Sequence, residues 1–389
     1  MITLDGSFGE GGGALVRTAL ALSALTGQEF KVINIRANRP ERGLKAQHLE
    51  AIKALQQMCR AETSPIEIGS TEFWFQPGKI RRGEYSIDIG TAGSITLLLQ
   101  ALILPSLFAP GKVTFHITGG TCGKWQASVD YLQNLLLPHL QRFVEKIELK
   151  IIKRGYYPAG GGVCTLEISP RFKLKDFSSV AAFLEELEKK VADICLEEQG
   201  KLEQIRGVAN ISIELGHQEV GERIAQTVEV YFKKYQVPVN IRVEYAAAKS
   251  VGGEIVIWGI FSRQGKVDYD NPVMLAGDAL LEKNKSSEAI GKEAAEKLEK
   301  EIQSGAAVDT HLADQLIFFM GLLPGSSIIT PAIASHTQTN MYVTEQFLPV
   351  AFAIDKNKIT AQKKRRDELI FFSSFSSSTP KKIYKEASV

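Results

Sequence analysis

Near its start the chain reads Asp5-Gly6-Ser7-Phe8-Gly9-Glu10-Gly11-Gly12-Gly13 and runs at once into a helix-forming segment that carries Arg17. Glycines at a strand-to-helix turn let backbone N–H groups approach a phosphate, and the helix N-terminus adds favourable partial charge. No Gly-Lys-Ser/Thr follows, so the turn is not a P-loop, and its spacing is not a dinucleotide fingerprint. A carboxylate there repels phosphate unless it holds a divalent ion, which makes Glu10 a candidate metal ligand. A tight turn with a solvated Glu10 is the competing reading. Next come Arg36, Arg39, Arg42 and Lys45, broken only by Glu41 among charged residues, leading into a helix with Gln47 and His48. Such a cluster suits a polyanion with more than one phosphate, and otherwise reads as a solvated face.

Six histidines are present, and two stand out by their neighbours. His311 heads His311-Leu312-Ala313-Asp314-Gln315. His336 sits in Ser335-His336-Thr337-Gln338-Thr339-Asn340, at a step from strand to helix. An imidazole among small hydroxyl and amide side chains has donors to fix its tautomer and room for a ligand, which suits a nucleophile or an acid/base. His116 and His139, isolated in a strand and a helix, read as satisfied or surface side chains.

The elements that must position these groups follow from hydrophobic period. The first expected unit is strand 2–5, helix Ala14 to Thr26 closed by Gly27, strand Phe30 to Arg36, helix Leu44 to Cys59, then strands near Pro65–Ile68 and Glu72–Phe75. The order recurs: strand Tyr85–Ile89, a second glycine turn at 90–93, helix Ser94–Phe108, strand Lys112–Thr118, helix Ser128–Phe143, and strands Lys146–Lys153 and Gly162–Ser169. A third unit is expected from helices Ser287–Gln303 and Ala313–Leu323, strand Ser326–Thr330, helix Thr337–Phe347 and two closing strands. A repeat of this kind points to stacked α/β units, each too small to bury its sheet alone. Residues 176–275, with a charged helix Phe183–Gln199, a helix Gly221–Lys234 and alternating strands, read as an inserted α/β domain. That leaves 1–175 and 276–365 as the repeated-unit body, and the serine-rich 366–389 as a mobile tail.

The 389 residues are 44% hydrophobic, enough for more than one core, and the net charge of +2 makes any nucleic-acid contact a local basic patch. No long apolar run or leader-like start is present, so no membrane partner is expected, and the four scattered cysteines suit a reducing, cytoplasmic setting without disulfides or structural zinc.

Taken in order, several segments form a recognisable series. They are Gly9-Glu10-Gly11-Gly12-Gly13 with Arg17, Ile35-Arg36-Ala37 with Arg39, Gln47-His48-Leu49, and Gly93-Ser94 with Gln100. Tyr157-Pro158-Ala159-Gly160-Gly161-Gly162, Leu312-Ala313-Asp314-Gln315 and His336-Thr337-Gln338-Thr339 complete it. The series resembles the RNA 3'-terminal phosphate cyclases over nearly the whole chain, to about residue 355.

The resemblance implies ATP-dependent conversion of an RNA 3'-phosphate end into a 2',3'-cyclic phosphate, on α/β repeats similar to those of the enolpyruvyl transferases with a small insert. It implies His336 as the covalent, AMP-bearing histidine, with Asp314 and Arg39 as further catalytic residues. ATP contacts would fall on Gln100, His311, Leu312, Ala313, Asp314 and Gln315, and phosphate or RNA contacts on Arg17, Arg36, Arg39 and Gln47. Glu10 would help hold Mg²⁺ or Mn²⁺. Whether Asp314 orients the imidazole or holds the nucleotide stays open. Ala14 and Ala127-Ser128 depart from residues common in the family, as does His311, where many relatives place Tyr. The alternative is a non-catalytic ribosome-assembly relative, which lacks the nucleophilic histidine; an enolpyruvyl transferase would lack the His-Thr-Gln-Thr segment.

Overall fold

A computed structural model describes residues 1–364 of the chain, so the expected mobile tail at 366–389 lies outside the described residues. Short strands and longer helices form four four-stranded sheets. The first contains β1 (Ile2–Asp5), β2 (Phe30–Ile33), β3 (Glu62–Thr63) and β4 (Phe73–Gln76), with α1 (Ala14–Thr26) and α2 (Ala46–Cys59) between them in sequence. Its order is β1-β2-β4-β3. The second contains β5 (Gly83–Asp88), β6 (Val113–Gly119), β7 (Val144–Lys153) and β8 (Gly162–Pro170), with α3 (Ile95–Leu107) after its first strand. It is ordered β5-β6-β8-β7. In both sheets the first two strands are parallel and the last in sequence lies antiparallel between its neighbours.

The helix expected from Ser128 to Phe143 is broken into α4 (Val129–Tyr131), a π turn at Leu132–Leu136, α5 (Leu137–Leu140) and a closing 3₁₀ turn. Pro138 lacks the N–H that a regular helix needs there, and the wider turn comes just before it. Within α5, His139 is fully buried with neither ring nitrogen hydrogen-bonded, unlike the satisfied imidazole expected. Burial, helped by Arg142, pulls its pKa down to about 3, so it is neutral. His116 is exposed beside Thr165.

Other expected bounds are corrected as well. The helix placed over Phe183–Gln199 is α6 (Val180–Lys190), and it stops where Val191 turns extended. The chain then forms β9 (Cys195–Leu196), parallel to a strand more than a hundred residues later. The strand expected at Pro65–Ile68 is instead β3, because Pro65 has no donor for a ladder. The strand expected to reach Arg36 ends at Ile33, since Asn34 and Arg36 take left-handed backbone angles, φ 54° and 56°.

After β9 come β10 (Lys201–Ser212), α7 (Val220–Phe232), β11 (Val239–Ala246), β12 (Gly253–Ser262), β13 (Met274–Leu280) and α8 (Ser287–Gln303). Their sheet is ordered β11-β10-β12-β13. Helix α8, expected in the third unit, packs instead on β12, β13 and α7. Its apolar stripe, with Ile290, Ala294, Ala295 and Leu298 buried, faces that sheet rather than the body. Gln199 Nε2 donates to the carbonyls of Ile302 (3.1 Å) and Ala306 (2.9 Å), tying the entry of this segment to its exit.

The last sheet joins β9 to β14 (Ser327–Ile329), β15 (Val350–Asp355) and β16 (Lys358–Lys363), with α9 (Thr310–Met320) and α10 (Ser335–Phe347). Taken from β9, its order β9-β14-β16-β15 repeats the pattern of the first two sheets.

Two features hold these parts together. Helix α1 is buried from Ala14 to Leu25 and packs on α2, α3 and α10, while α10 packs on α9. A largely apolar helix buried on every side needs partners all round, so it becomes the hub. The second is a buried ion cluster. Arg154 Nη2 donates to Asp130 Oδ1 (3.0 Å) and to Glu244 Oε2 (2.6 Å) on β11, and Arg154 Nη1 also pairs with Asp130. Asn210 on β10 donates to Asp130 as well.

Candidate active site

The glycine turn folds back toward the start of α10. Gly9 and Gly11 hold φ near +60°, open to glycine at no steric cost. A methyl group on Gly9 would stand 2.6 Å from Thr339 Oγ1, so turn and helix touch. Phe8 stacks on Tyr342, ring centroids 4.1 Å apart. A methyl on Gly12 would lie 2.2 Å from Glu10 Oε1, because the Glu10 side chain crosses over its own turn.

That path delivers the Glu10 carboxylate to His336. Oε1 lies 2.8 Å from His336 Nδ1, and Oε2 accepts from Arg39 Nη2. The Glu10 side chain is 8% exposed and His336 is 43% exposed, so the imidazole keeps one side open. Apart from that contact, Glu10 Oε1 is buried with no other polar partner. Burial opposes ionisation of Glu10. The contact and charge of His336, then the charges of Arg39 and Arg17, outweigh it and hold the carboxyl below its ordinary range. A carboxylate only accepts, so the proton of a neutral His336 sits on Nδ1 and the free lone pair on Nε2.

Arg17 enters from α1, buried, and donates through Nε to Gln100 Oε1 of α3 at 2.8 Å. Burial draws its pKa down to about 10, against the pull of Glu10 and Asp314, and it stays charged at neutral pH. Arg36 donates to the Glu41 carbonyl at 3.3 Å, and Lys45 pairs with Glu41. Gln47 lies against the second glycine turn, its Oε1 3.3 Å from where a Cβ on Gly93 would stand.

The segment 311–315 divides. Asp309 caps α9, accepting from the N–H groups of His311 and Leu312 and from Tyr131 Oη. His311 is exposed, with its ring edge-on to Tyr131 at 6.3 Å. Leu312 and Ala313 are core residues with no side-chain surface for a ligand, and Gln315 turns its amide to the His311 carbonyl of its own helix. Asp314 belongs with the site. Burial pushes its pKa up to about 6 although His311, His336 and Arg17 pull it down.

Asn340 joins three helices here, donating to the Asp314 carbonyl (2.8 Å) and accepting from Thr18 Oγ1 (2.8 Å). Its buried amide lies one helical turn from His336, a spacing visible in the sequence, whereas its partners are not. Asp309 and the Phe8–Tyr342 stack were not singled out by sequence reasoning either, and an Asp just before a helix was the signal available for the first.

The raised pKa of Asp314 has a stability consequence. The folded state binds its proton more tightly than the unfolded chain, so stability falls as pH rises from about 4 to about 6. Asp314→Asn carries no such penalty. It is expected to gain about 1–3 kcal/mol at pH 7, read as a higher urea midpoint, with the gain vanishing below about pH 4. An unchanged midpoint at pH 7 would show that Asp314 is not held against ionisation.

Fold and site together define a mixed α/β protein in which a glycine turn, an arginine cluster and a helix-borne histidine meet at one carboxylate. A family model described as RNA 3'-terminal phosphate cyclase matches residues 8–354. A protein named RNA 3'-terminal phosphate cyclase from Methanopyrus kandleri is 39% identical over 361 residues, 91% of this chain and 95% of that protein. One of the same name from Methanosarcina mazei is 41% identical over 360 residues, covering 92% and 98%. The chain belongs to the RNA 3'-terminal phosphate cyclase family.

Proposed function

We propose that the protein uses ATP to convert an RNA 3'-terminal phosphate into a 2',3'-cyclic phosphate through a histidine-bound AMP. The observation that carries this reading is the contact of His336 with Glu10, which reserves the Nε2 lone pair for attack. Nε2 attacks the α-phosphorus of ATP, forming a P–N bond and releasing pyrophosphate. An oxygen of the RNA 3'-phosphate then takes the AMP from His336 and forms a phosphoanhydride. The neighbouring 2'-OH attacks the RNA phosphorus, loses its proton to solvent and expels AMP, helped by proximity within one ribose.

Arg17, Arg36 and Arg39 offset phosphate charge, Gln100 holds Arg17 in place, and Gln47 faces the second glycine turn, near enough to contact phosphate. Asp314 acts beside the imidazole or on the nucleotide; its long-range pull on His336 and Arg17 supports either role. Among the described residues no group of three or more His, Cys, Asp or Glu forms a metal cage. Glu10 is the proposed single protein ligand for Mg²⁺ or Mn²⁺, phosphate oxygens and water completing the shell; to take the ion its carboxylate would give up a contact to Arg39 or His336. Such an ion would offset charge on the phosphates.

A cytoplasmic location is part of the proposal; among the described residues no helix is long and apolar enough to cross a membrane. The insert proposed at 176–275 contains most of the β10–β13 sheet, on which α8 also packs.

The test is an RNA oligonucleotide with a labelled 3'-phosphate, incubated with ATP and a divalent metal. The label is expected to become phosphatase-resistant, while an otherwise identical strand ending in a 2'-deoxyribose is adenylylated but never closed. Modification of a 3'-OH end, or a label still open to phosphatase, would reject the reading.

A further inference from the structure

Two sheets leave an unpaired strand edge where the insert meets the body. Strand β7 ends the order β5-β6-β8-β7, and β11 begins the order β11-β10-β12-β13. Between them runs a groove of about 830 Å³, with Lys150, Lys153 and Arg154 on one wall and Arg242, Ala246 and Ala247 on the other. Its two carboxylates are already engaged. Glu148 meets Lys146 at 2.8 Å and Lys150 at 3.5 Å, and Glu244 meets Arg154 at 2.6 Å and Arg242 at 2.7 Å. Lys153 is exposed and has no carboxylate partner among the described residues.

Beyond Ala247 the insert continues as a loop, 247–252, that lies along body residues 156–162. Ser250 Oγ accepts from the Ala159 N–H at 3.0 Å. Methyl groups on Gly161 and Gly252 would stand 2.9 Å from Lys249 Cδ and 2.6 Å from Tyr156 Cβ. The body loop rests in turn on the second glycine turn, since a methyl on Gly160 would lie 2.7 Å from Ala92 Cα. That turn meets Gln47 through Gly93, so groove, loop and turn form one line of surface leading to the candidate active site. Along it, Lys249 is exposed with no carboxylate partner among the described residues, and Tyr157 is 79% exposed.

A strand edge can accept an extended peptide, but β7 is ill suited to one. Its ladder with β8 shifts register between Ile151 and Lys153, and Gln133 Nε2 occupies the Leu149 carbonyl at 3.0 Å. Bulges and edge lysines blunt strand pairing. Unpaired cations along a groove that leads to an exposed aromatic suit a single-stranded nucleic acid instead.

We propose that the RNA strand leading to the reacting 3' end lies along this junction, with backbone phosphates on Lys153 and Lys249 and a base stacked on Tyr157. The body holds the end and the insert holds the approach to it. The path rests on the RNA substrate proposed above.

The full-length chain is titrated, without ATP, with labelled RNA ending in a 3'-phosphate, first as a dinucleotide and then as a strand of about ten nucleotides. The longer strand is expected to bind more tightly. Lys153→Gln combined with Lys249→Gln removes both charges and keeps most of each stem. It is expected to weaken the longer strand roughly tenfold and to lower the slope of log affinity against log salt by about 1.4, the counterions of two phosphates, with a much smaller loss for the dinucleotide. Tyr157→Ala is expected to weaken the longer strand about fivefold at low and high salt alike, because stacking is not screened. Equal affinity for the two lengths, equal loss of both in the double lysine variant, or unchanged affinity in either variant would overturn the path. A chain that binds in the expected way but never closes the 3'-phosphate would keep the path and reject the proposed cyclisation. One that closes the end, with variants unimpaired at limiting RNA, would do the reverse.

Discussion

His336→Ala is expected to form no labelled protein with α-labelled ATP and to lose cyclisation by roughly three orders of magnitude or more, since the proposed covalent step then lacks its nucleophile. The variant should remain folded. His336 lies at the first turn of α10 and is 43% exposed, so its side chain contributes little to the core. His311→Ala is the matched control and should keep the adduct, because His311 is exposed on α9 with its ring edge-on to Tyr131 and is not the proposed nucleophile. An acid-labile AMP adduct on His336→Ala would move the nucleophile elsewhere. Loss of the adduct in both variants would point to a general effect on ATP binding instead.

The largest expected effect on stability lies far from that chemistry. Arg154 is 4% exposed and answers Asp130, itself 1% exposed, together with Glu244. Removing one partner leaves a buried charge without compensation. Arg154→Ala is therefore expected to cost about 3–5 kcal/mol, read from urea denaturation. Because the pair's net worth is small once desolvation is counted, Arg154→Met combined with Asp130→Leu should recover most of the loss. A double variant as unstable as Arg154→Ala would show that the cluster contributes more than charge balance.

The apolar architecture was readable where one rule governs an element. Helix α1 begins and ends where its largely apolar run and Gly27 place it, with Gly27 in the left-handed conformation at φ 73°. Helix α8 likewise keeps its expected bounds, Ser287–Gln303. What could not be read was partnership. The stripe on α8 says that one face is buried but not against which sheet. Strand β9 has two residues, too few for any period, and exists because β14 lies beside it.

The site shows the same division. Glu10, Arg39 and His336 could be singled out one by one, from a glycine turn, a basic cluster and a polar strand-to-helix step. Their junction depends on Phe8 meeting Tyr342 and Gly9 meeting Thr339, contacts between residues more than three hundred positions apart. Leu312 and Ala313, adjacent to Asp314, belong to the core because a helix sends neighbouring side chains in different directions.

The knot that Gln199 ties between Ile302 and Ala306 bears on how the chain acquires its shape. Strand β9 must wait for β14, with residues 201–303 emerging between them during synthesis. An open segment of that length would make the pairing a slow search, since the closure cost grows with the chain enclosed and non-local contacts form late. Once the β10–β13 sheet and its two helices have formed and their ends are drawn together, the enclosed segment counts kinetically as a turn of a few residues. The two-residue strand can then find its partner as though the intervening hundred residues were absent.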